Sequence, residues 1–275
     1  VGAIRNKGIE FQLEGVILNG NDWNWTAGFN IALNRSKVID IADSEYLAVA
    51  DDRASKENES TPVRIAKGRR LYTFYTRDYY GVNPSNGEPL WYDKDGKLTS
   101  ELSKARYIYA GTPEPKATGG FNTTLSWKGL SLSAYFEFVA GNKVFVAGQA
   151  DVDGASMNSN TTTASLNYWK KPGDTGVRPK PVAGQPNRAY AASTRKIQDG
   201  SYTRIKDITL SYSLPEKILK PVRMKGVRIY VSALNPYTFH HVKGVMDPEL
   251  GVLGYTMGAS HTMVKSFVGG VEVSF

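Results

Sequence analysis

Cysteine is absent from this 275-residue sequence, which excludes disulfides, thiolate metal sites and a cysteine nucleophile. Histidine is nearly absent: His240, His241 and His261 are all there are. Neighbouring residues at a strand end point to opposite faces, so His240 and His241 make a poor chelate. No apolar run approaches the roughly 18 uninterrupted residues of a spanning helix, and mean hydropathy is −0.37. A strand-built membrane protein can share that figure with a soluble one, because only every second residue of its strands must be apolar. Ser/His/Asp spacing, a nucleophile elbow and paired carboxylate motifs are also missing. The expectation is a protein that is not an enzyme and uses no cofactor. Asp93-Lys94-Asp95-Gly96 and Asp151-Val152-Asp153-Gly154 begin like calcium loops but lack the remaining ligands and the terminal glutamate, so both read as turns. Val1-Gly2-Ala3 carries no charged region ahead of an apolar one. A signal for export is therefore expected upstream, with the chain a segment of something longer.

What is present is charge and alternation. Formal net charge is +8 and the isoelectric point about 9.4. The cations are scattered, with only short clusters such as Lys67-Gly68-Arg69-Arg70 and Lys170-Lys171. No basic helix or RNA-binding signature accompanies them, so nucleic acid is not expected as a partner.

Period-two alternation recurs in segments of about ten residues. Trp23, Trp25, Ala27, Phe29, Ile31 and Leu33 share one face of a strand that opens on Asn24, Thr26, Gly28 and Asn30 on the other. Ile9, Phe11 and Leu13 precede it across the turn Asn19-Gly20-Asn21-Asp22, where Asn and Gly tolerate positive φ. Phe121 to Trp127 and Leu130 to Phe138 form a second hairpin around Lys128-Gly129. Ile208, Leu210 and Tyr212 pair with Val227 to Ala233, and a last strand carries Phe267, Gly269, Val271, Val273 and Phe275. Thr61 to Lys67 and Leu71 to Val82 supply one more pair, for about nine strands.

Short turns alternate with long polar stretches near 40–60, 83–116, 141–200 and 240–264. Compact soluble domains rarely carry several such loops. A transmembrane β-barrel does so by rule, with short periplasmic turns, long extracellular loops and, here, a C-terminus on the periplasmic side. Trp23, Trp25 and Trp127 all fall on the apolar face within about three residues of a short turn, as membrane-interface aromatics would. A soluble all-β sandwich capped by these indoles is the alternative. In the long loops, Trp91-Tyr92 and Tyr168-Trp169 stand among polar neighbours as candidate ligand-binding residues, since flat aromatic faces stack on sugars. Packing of loop on loop, or against a partner protein, explains the same residues.

Several segments together resemble the SusC/RagA family of TonB-dependent outer-membrane transporters. They are Asn6-Lys7-Gly8-Ile9-Glu10; Gly111-Thr112-Pro113-Glu114-Pro115-Lys116 with Gly119-Gly120-Phe121 and the Trp127-Lys128-Gly129 turn; and Asp199-Gly200-Ser201-Tyr202-Thr203-Arg204-Ile205-Lys206 leading to Thr209-Leu210-Ser211-Tyr212-Ser213-Leu214-Pro215. Asn235, Thr238-Phe239, Gly244 and Asp247-Pro248-Glu249 follow in the same order. Pro236 and His240-His241 depart from the family pattern. The resemblance implies that residues 1–275 are the C-terminal part of a 22-stranded barrel in a Gram-negative outer membrane, the plug and earlier strands lying elsewhere. It implies uptake of oligosaccharides or oligopeptides with a SusD-like surface lipoprotein, TonB and the remaining segment of the same barrel as partners, and lipid around it. It also implies that Phe275, a terminal aromatic, acts as a barrel-assembly signal. A non-transporting barrel, an adhesin or secretion component, is the rival within the same fold.

Overall fold

The structure, a computed structural model, describes residues 2–49, 63–146, 163–182, 191–244, 247–251, 253–256 and 263–275. The alternating segments become one antiparallel sheet of seven strands: β1 (Gly2–Asn19), β2 (Trp23–Ile41), β3 (Ala117–Trp127), β4 (Leu130–Ala140), β5 (Tyr202–Ser213), β6 (Gly226–His240) and β7 (Ser266–Ser274). Each pairs with the strand before it, giving an up-and-down meander with β1 and β7 at its edges.

Register turns the sequence alternation into continuous rows. Leu18, Trp25, Leu125, Leu132, Leu210 and Val231 lie side by side across six strands. The row nearest the short turns reads Trp23, Trp127, Leu130, Tyr212, Ile229 and Val271. These apolar side chains are largely uncovered, with Ile9 71%, Leu13 61% and Val271 62% exposed. The opposite face carries Thr26, Thr124, Ser133, Thr209 and Ser232 in one row. Its hydroxyls bond across strands, Ser126 to Ser131 at 2.9 Å and Thr209 to Ser232 at 2.8 Å. An apolar face of this extent in water would be an aggregation surface; against lipid it is what a spanning sheet requires.

Two irregularities have local causes. Between β5 and β6 the register slips at Lys206 and at Asn235-Pro236. Asn235 takes φ 49° there, and Pro236, which has no N–H to give the ladder, falls in the bulge. Gly119 and Gly120 lie beneath aromatic rings of β4. A Cβ on Gly119 would come within 2.7 Å of Phe138, and one on Gly120 within 2.8 Å of Tyr135. The adjacent glycines thus seat one ring on each face of the sheet.

The expected count of nine strands is corrected to seven in this sheet. The predicted pairing around Lys67-Gly68-Arg69 exists, Val63 facing Phe74 and Arg64 facing Thr73. It belongs to a separate four-stranded sheet of Tyr46–Ala48, Val63–Ala66, Thr73–Arg77 and Tyr107–Tyr109. These strands are too short to join a sheet whose members run 9 to 19 residues. Thr61 and Pro62 lie outside the described residues, as do His261 and the Asp151 to Gly154 turn.

Short connections gather at one rim. Lys128 N–H donates to Asp22 O at 3.2 Å, Ser213 N–H to Gly129 O at 2.8 Å, and Lys225 N–H to Ser274 O at 2.8 Å. The long connections leave the other rim and build a layer of small sheets around two cores. One core is Val63, Phe74 and Phe145, joined by Ile197 and Tyr255; the other is Val144, Val146 and Val242.

Candidate functional site

The loop layer does not splay outward; it folds over the polar face of the meander. Ser36 and Val38, both buried, lie on that face near the end of β2. Ser36 N–H donates to Glu114 Oε1 at 2.8 Å, its hydroxyl donates to Glu114 Oε2, and its Oγ accepts from Leu71 N–H at 2.9 Å. Val38 N–H donates to Arg69 O at 2.8 Å. The Glu114 of the sequence motif is therefore a clasp between β2 and two loops. A second clasp sits across the sheet, where Arg204 of β5 reaches Asp247 at 2.5 Å and Glu249 at 2.6 Å. All three are charged members of the two sequence segments that lie farthest toward the C-terminus.

Electrostatics in this layer follow burial and capping. Asp199 is held below the ordinary carboxylate range by the hydroxyl and N–H of Ser201, with Lys143 adding to the effect. Asp174 is lowered by the N–H groups of Lys170 and Lys171. Tyr79 is pushed up to about 12 by burial, which outweighs the opposing pull of Arg195. Arg195 is itself lowered by burial. Asp93 accepts from Asp95 N–H at 2.9 Å and Lys97 N–H at 2.8 Å, so its carboxylate closes a turn. Among the described residues no cluster of three metal-ligating side chains occurs.

The candidate loop aromatics come together in one module, but as packing residues. Trp91 is 1% and Trp169 8% exposed, against the expectation of open stacking faces. Trp91 lies edge-on to Tyr79 at 6.3 Å. Trp169 covers Gly87, where a Cβ would meet its ring at 2.7 Å, and donates Nε1–H to Pro84 O at 3.0 Å. Tyr92 is half-buried between Tyr80, 5.5 Å away, and the Arg106 guanidinium, 5.0 Å away. Tyr168 has Lys170 over its ring at 5.5 Å. In this conformation the two indoles offer no face to a solute.

What sequence reading missed is the four-stranded loop sheet. One face of it packs into the core through Val63, Phe74 and Thr76. The other holds a lattice of stacked rings and guanidiniums: Arg64 lies 3.9 Å from the Tyr46 ring centroid and 3.8 Å from that of Tyr75. Tyr75 stacks on Tyr107 and Tyr109 at 5.3 and 4.8 Å, and Arg69 covers Tyr109 at 4.4 Å. The signal in the sequence is the density of tyrosine in Tyr72 to Arg77 and Tyr107 to Tyr109.

On the outer face, Trp23 and Trp127 stack at 5.6 Å on the short-turn rim, and Trp25 donates Nε1–H to Thr123 Oγ1 at 2.9 Å. Phe275 is 77% exposed at the same rim.

A meander with an uncovered apolar face, a polar face and loops folded over the polar side defines part of an outer-membrane β-barrel of the transporter class. No family model matches the chain. Among curated proteins, the TonB-dependent receptor P3 of Formosa agariphila is 26% identical over 301 residues, covering 100% of this chain and 29% of that protein. The TonB-dependent receptor SusC of Bacteroides thetaiotaomicron is 26% identical over 258 residues, covering 91% of this chain and 24% of SusC. Among solved structures, a chain of the RagAB peptide transporter aligns with a TM-score of 0.84 at 28% identity, covering 100% of this chain and 30% of that one. The RagAB peptide importer in its open-open state aligns at 0.79 and 27% identity. The chain thus spans less than a third of the length of the relatives it matches. The resemblance to the SusC/RagA family of TonB-dependent receptors holds over the whole chain.

Proposed function

We propose that this chain is the C-terminal part of the barrel of a TonB-dependent importer that takes up oligosaccharides or oligopeptides. The observation that carries this reading is the inward-folded loop layer on a sheet that follows the RagAB chain over its whole length, at a TM-score of 0.84. The seven strands become an arc of a closed barrel of 22, its other strands and plug supplied by the remaining segment of the same barrel. Closure satisfies the edges of β1 and β7, whose unpaired N–H and C=O groups would each cost several kcal/mol in lipid. The short-turn rim, with the C-terminus, faces the periplasm; Trp23, Trp25 and Trp127 lie at that membrane interface, and Phe275 engages the assembly machinery. A SusD-like lipoprotein covers the loop layer from outside, and TonB acts through a part of the protein other than these strands. The exposed apolar rows support the membrane placement, and the short turns at one rim against the long loops at the other support its sidedness.

The test is uptake. Labelled oligopeptides and oligosaccharides are offered to cells carrying the full-length receptor, to cells lacking it, and to cells lacking TonB, and a tagged receptor is purified to identify a bound lipoprotein. Uptake that persists without the receptor or without TonB would overturn the proposal. A non-transporting barrel would pass the membrane tests and fail this one.

A further inference from the structure

We infer that the Arg/Tyr face of the four-stranded loop sheet is a binding site for carboxylate groups on an oligomeric solute. The inference rests on the import reading and names its substrate class: an acidic oligomer, whether peptide or glycan.

Several arginine forks elsewhere in the described residues are taken. Arg106 holds Asp78 at 2.6 Å, Arg204 holds Asp247 and Glu249, and Arg228 faces Glu272 at 3.3 Å. Arg64 and Arg69 differ. Among the described residues neither has a carboxylate within ion-pair distance, and their side chains lie over tyrosine rings. The rings of Tyr46 and Tyr75 both lie against the Arg64 guanidinium, and its N–H donors make no hydrogen bond to another described residue. A guanidinium held in this way bonds a carboxylate through two parallel hydrogen bonds. The rings also fix the side chain, so less rotamer entropy is lost when a ligand arrives.

The surrounding chemistry agrees. The hydroxyls of Tyr46, Tyr75 and Tyr109 make no hydrogen bond within the described residues and stand as further donors. Among the described residues, those paired in register with Arg64 and Tyr46 are Ala48, Ala66 and Thr73, none of them a carboxylate. Arg69 is anchored through its backbone, its O accepting from Val38 N–H and its N–H donating to Ala66 O at 3.1 Å. Behind the sheet, Phe74 is fully buried against Phe145 at 6.2 Å. The result is a rigid, cationic, aromatic surface beside the solute path, and acidic groups at a distance are drawn to it by the same charges.

The experiment uses the full-length receptor purified in detergent, with Arg64→Gln, Arg69→Gln, the double variant and Arg64→Lys. Calorimetry measures binding of penta-glutamate against penta-glutamine, and of oligogalacturonate against a neutral maltooligosaccharide. The unaltered receptor is expected to prefer at least one acidic probe to its neutral counterpart, and the arm that responds tells peptide from glycan. The double variant should lose that preference by about tenfold or more, and Arg64→Lys should recover only part of it because a point charge cannot form the fork. Equal affinity for acidic and neutral probes in the unaltered receptor would overturn the inference, as would an equal loss for both in the variants. If Arg64→Gln does not give heat-modifiable protein, Arg69→Gln, on the more exposed residue, decides alone. Binding is read without TonB, so acid preference with no TonB-driven uptake would sink the import reading and leave the site standing.

Discussion

Arg204 and Asp247 meet at 2.5 Å across 43 residues of chain, with the arginine side chain wholly buried. Glu249 takes the other arm of the fork at 2.6 Å, and Thr238 of β6 accepts from Nε at 2.9 Å. All three nitrogens of one guanidinium are thereby engaged, two of them tying a long loop to the polar face of the sheet.

Removing this arginine leaves two carboxylates close together with no cation between them. Losing one partner of a buried pair costs about 3–5 kcal/mol, at the lower end here because Glu249 is partly exposed. Arg204→Ala in the full-length receptor should free the loop from 240 to 264 while the barrel persists. Limited proteolysis checks it: new cleavage in that loop with unchanged heat-modifiable migration is expected. Asp247→Asn with Glu249→Gln should loosen the same loop to a comparable degree, because it leaves the wholly buried Arg204 guanidinium without a counter-charge.

Gly119 and Gly120, adjacent on β3, predict losses of different size. A Cβ at Gly119 would approach Asn30 O to 2.2 Å, so Gly119→Ala must shift backbone between β2 and β3. At Gly120 the nearest atoms belong to the Tyr135 ring at 2.8 Å, and a ring can move. Gly119→Ala should lower the yield of assembled barrel severalfold. Gly120→Ala should be tolerated with a smaller loss of about 1–3 kcal/mol, the ordinary cost of overpacking. Yields in outer-membrane fractions and thermal midpoints of the folded form measure the two effects.

Much of the meander was legible because alternation is the physical signature of a sheet with two different faces. Phe121 opposite Phe136 and Leu210 opposite Val231 are pairings that residue parity alone specifies. Parity could not assign Val63 to Ala66 and Thr73 to Arg77 to a different sheet, since a strand of four residues alternates as well as one of eighteen. The loop aromatics were misplaced for a related reason. Polar neighbours in sequence say little about neighbours in space, and Trp91 is buried by Tyr79 and its surroundings in a layer built from distant segments. The roles of Glu114 and Arg204 were carried by motifs whose positions were plain and whose mutual contacts were not.

Alkali should loosen the loop layer through Tyr79. Its pKa of about 12 stands above the ordinary value of 10.0 because burial favours the neutral phenol. A group raised in the folded state contributes stability that is complete below its unfolded pKa of about 10. That contribution, on the order of 3 kcal/mol, fades as pH rises from about 10 through about 12. Tyr79→Phe has no phenol to ionise, so the segment around 79–92 should keep more of its protease resistance across that window. Identical loss in the variant and the unaltered protein would show that another group governs the alkaline transition.

Trp127 and Trp91 separate the two environments most directly. Trp127 stacks on Trp23 on the outward face at 42% exposure, whereas Trp91 is 1% exposed inside the loop layer. Variants of the full-length receptor that retain one or the other indole, reconstituted in vesicles with brominated lipid, should differ sharply in fluorescence. Trp127 should be quenched at interfacial depth, as an amphipathic ring at a barrel rim prefers. Trp91 should resist quenching, and Trp91→Ala should cost about 3–5 kcal/mol of loop-layer stability through the cavity it leaves without lowering membrane insertion. Quenching of Trp91, or none of Trp127, would place the sheet differently in the bilayer and remove the basis for reading the short-turn rim as the membrane boundary.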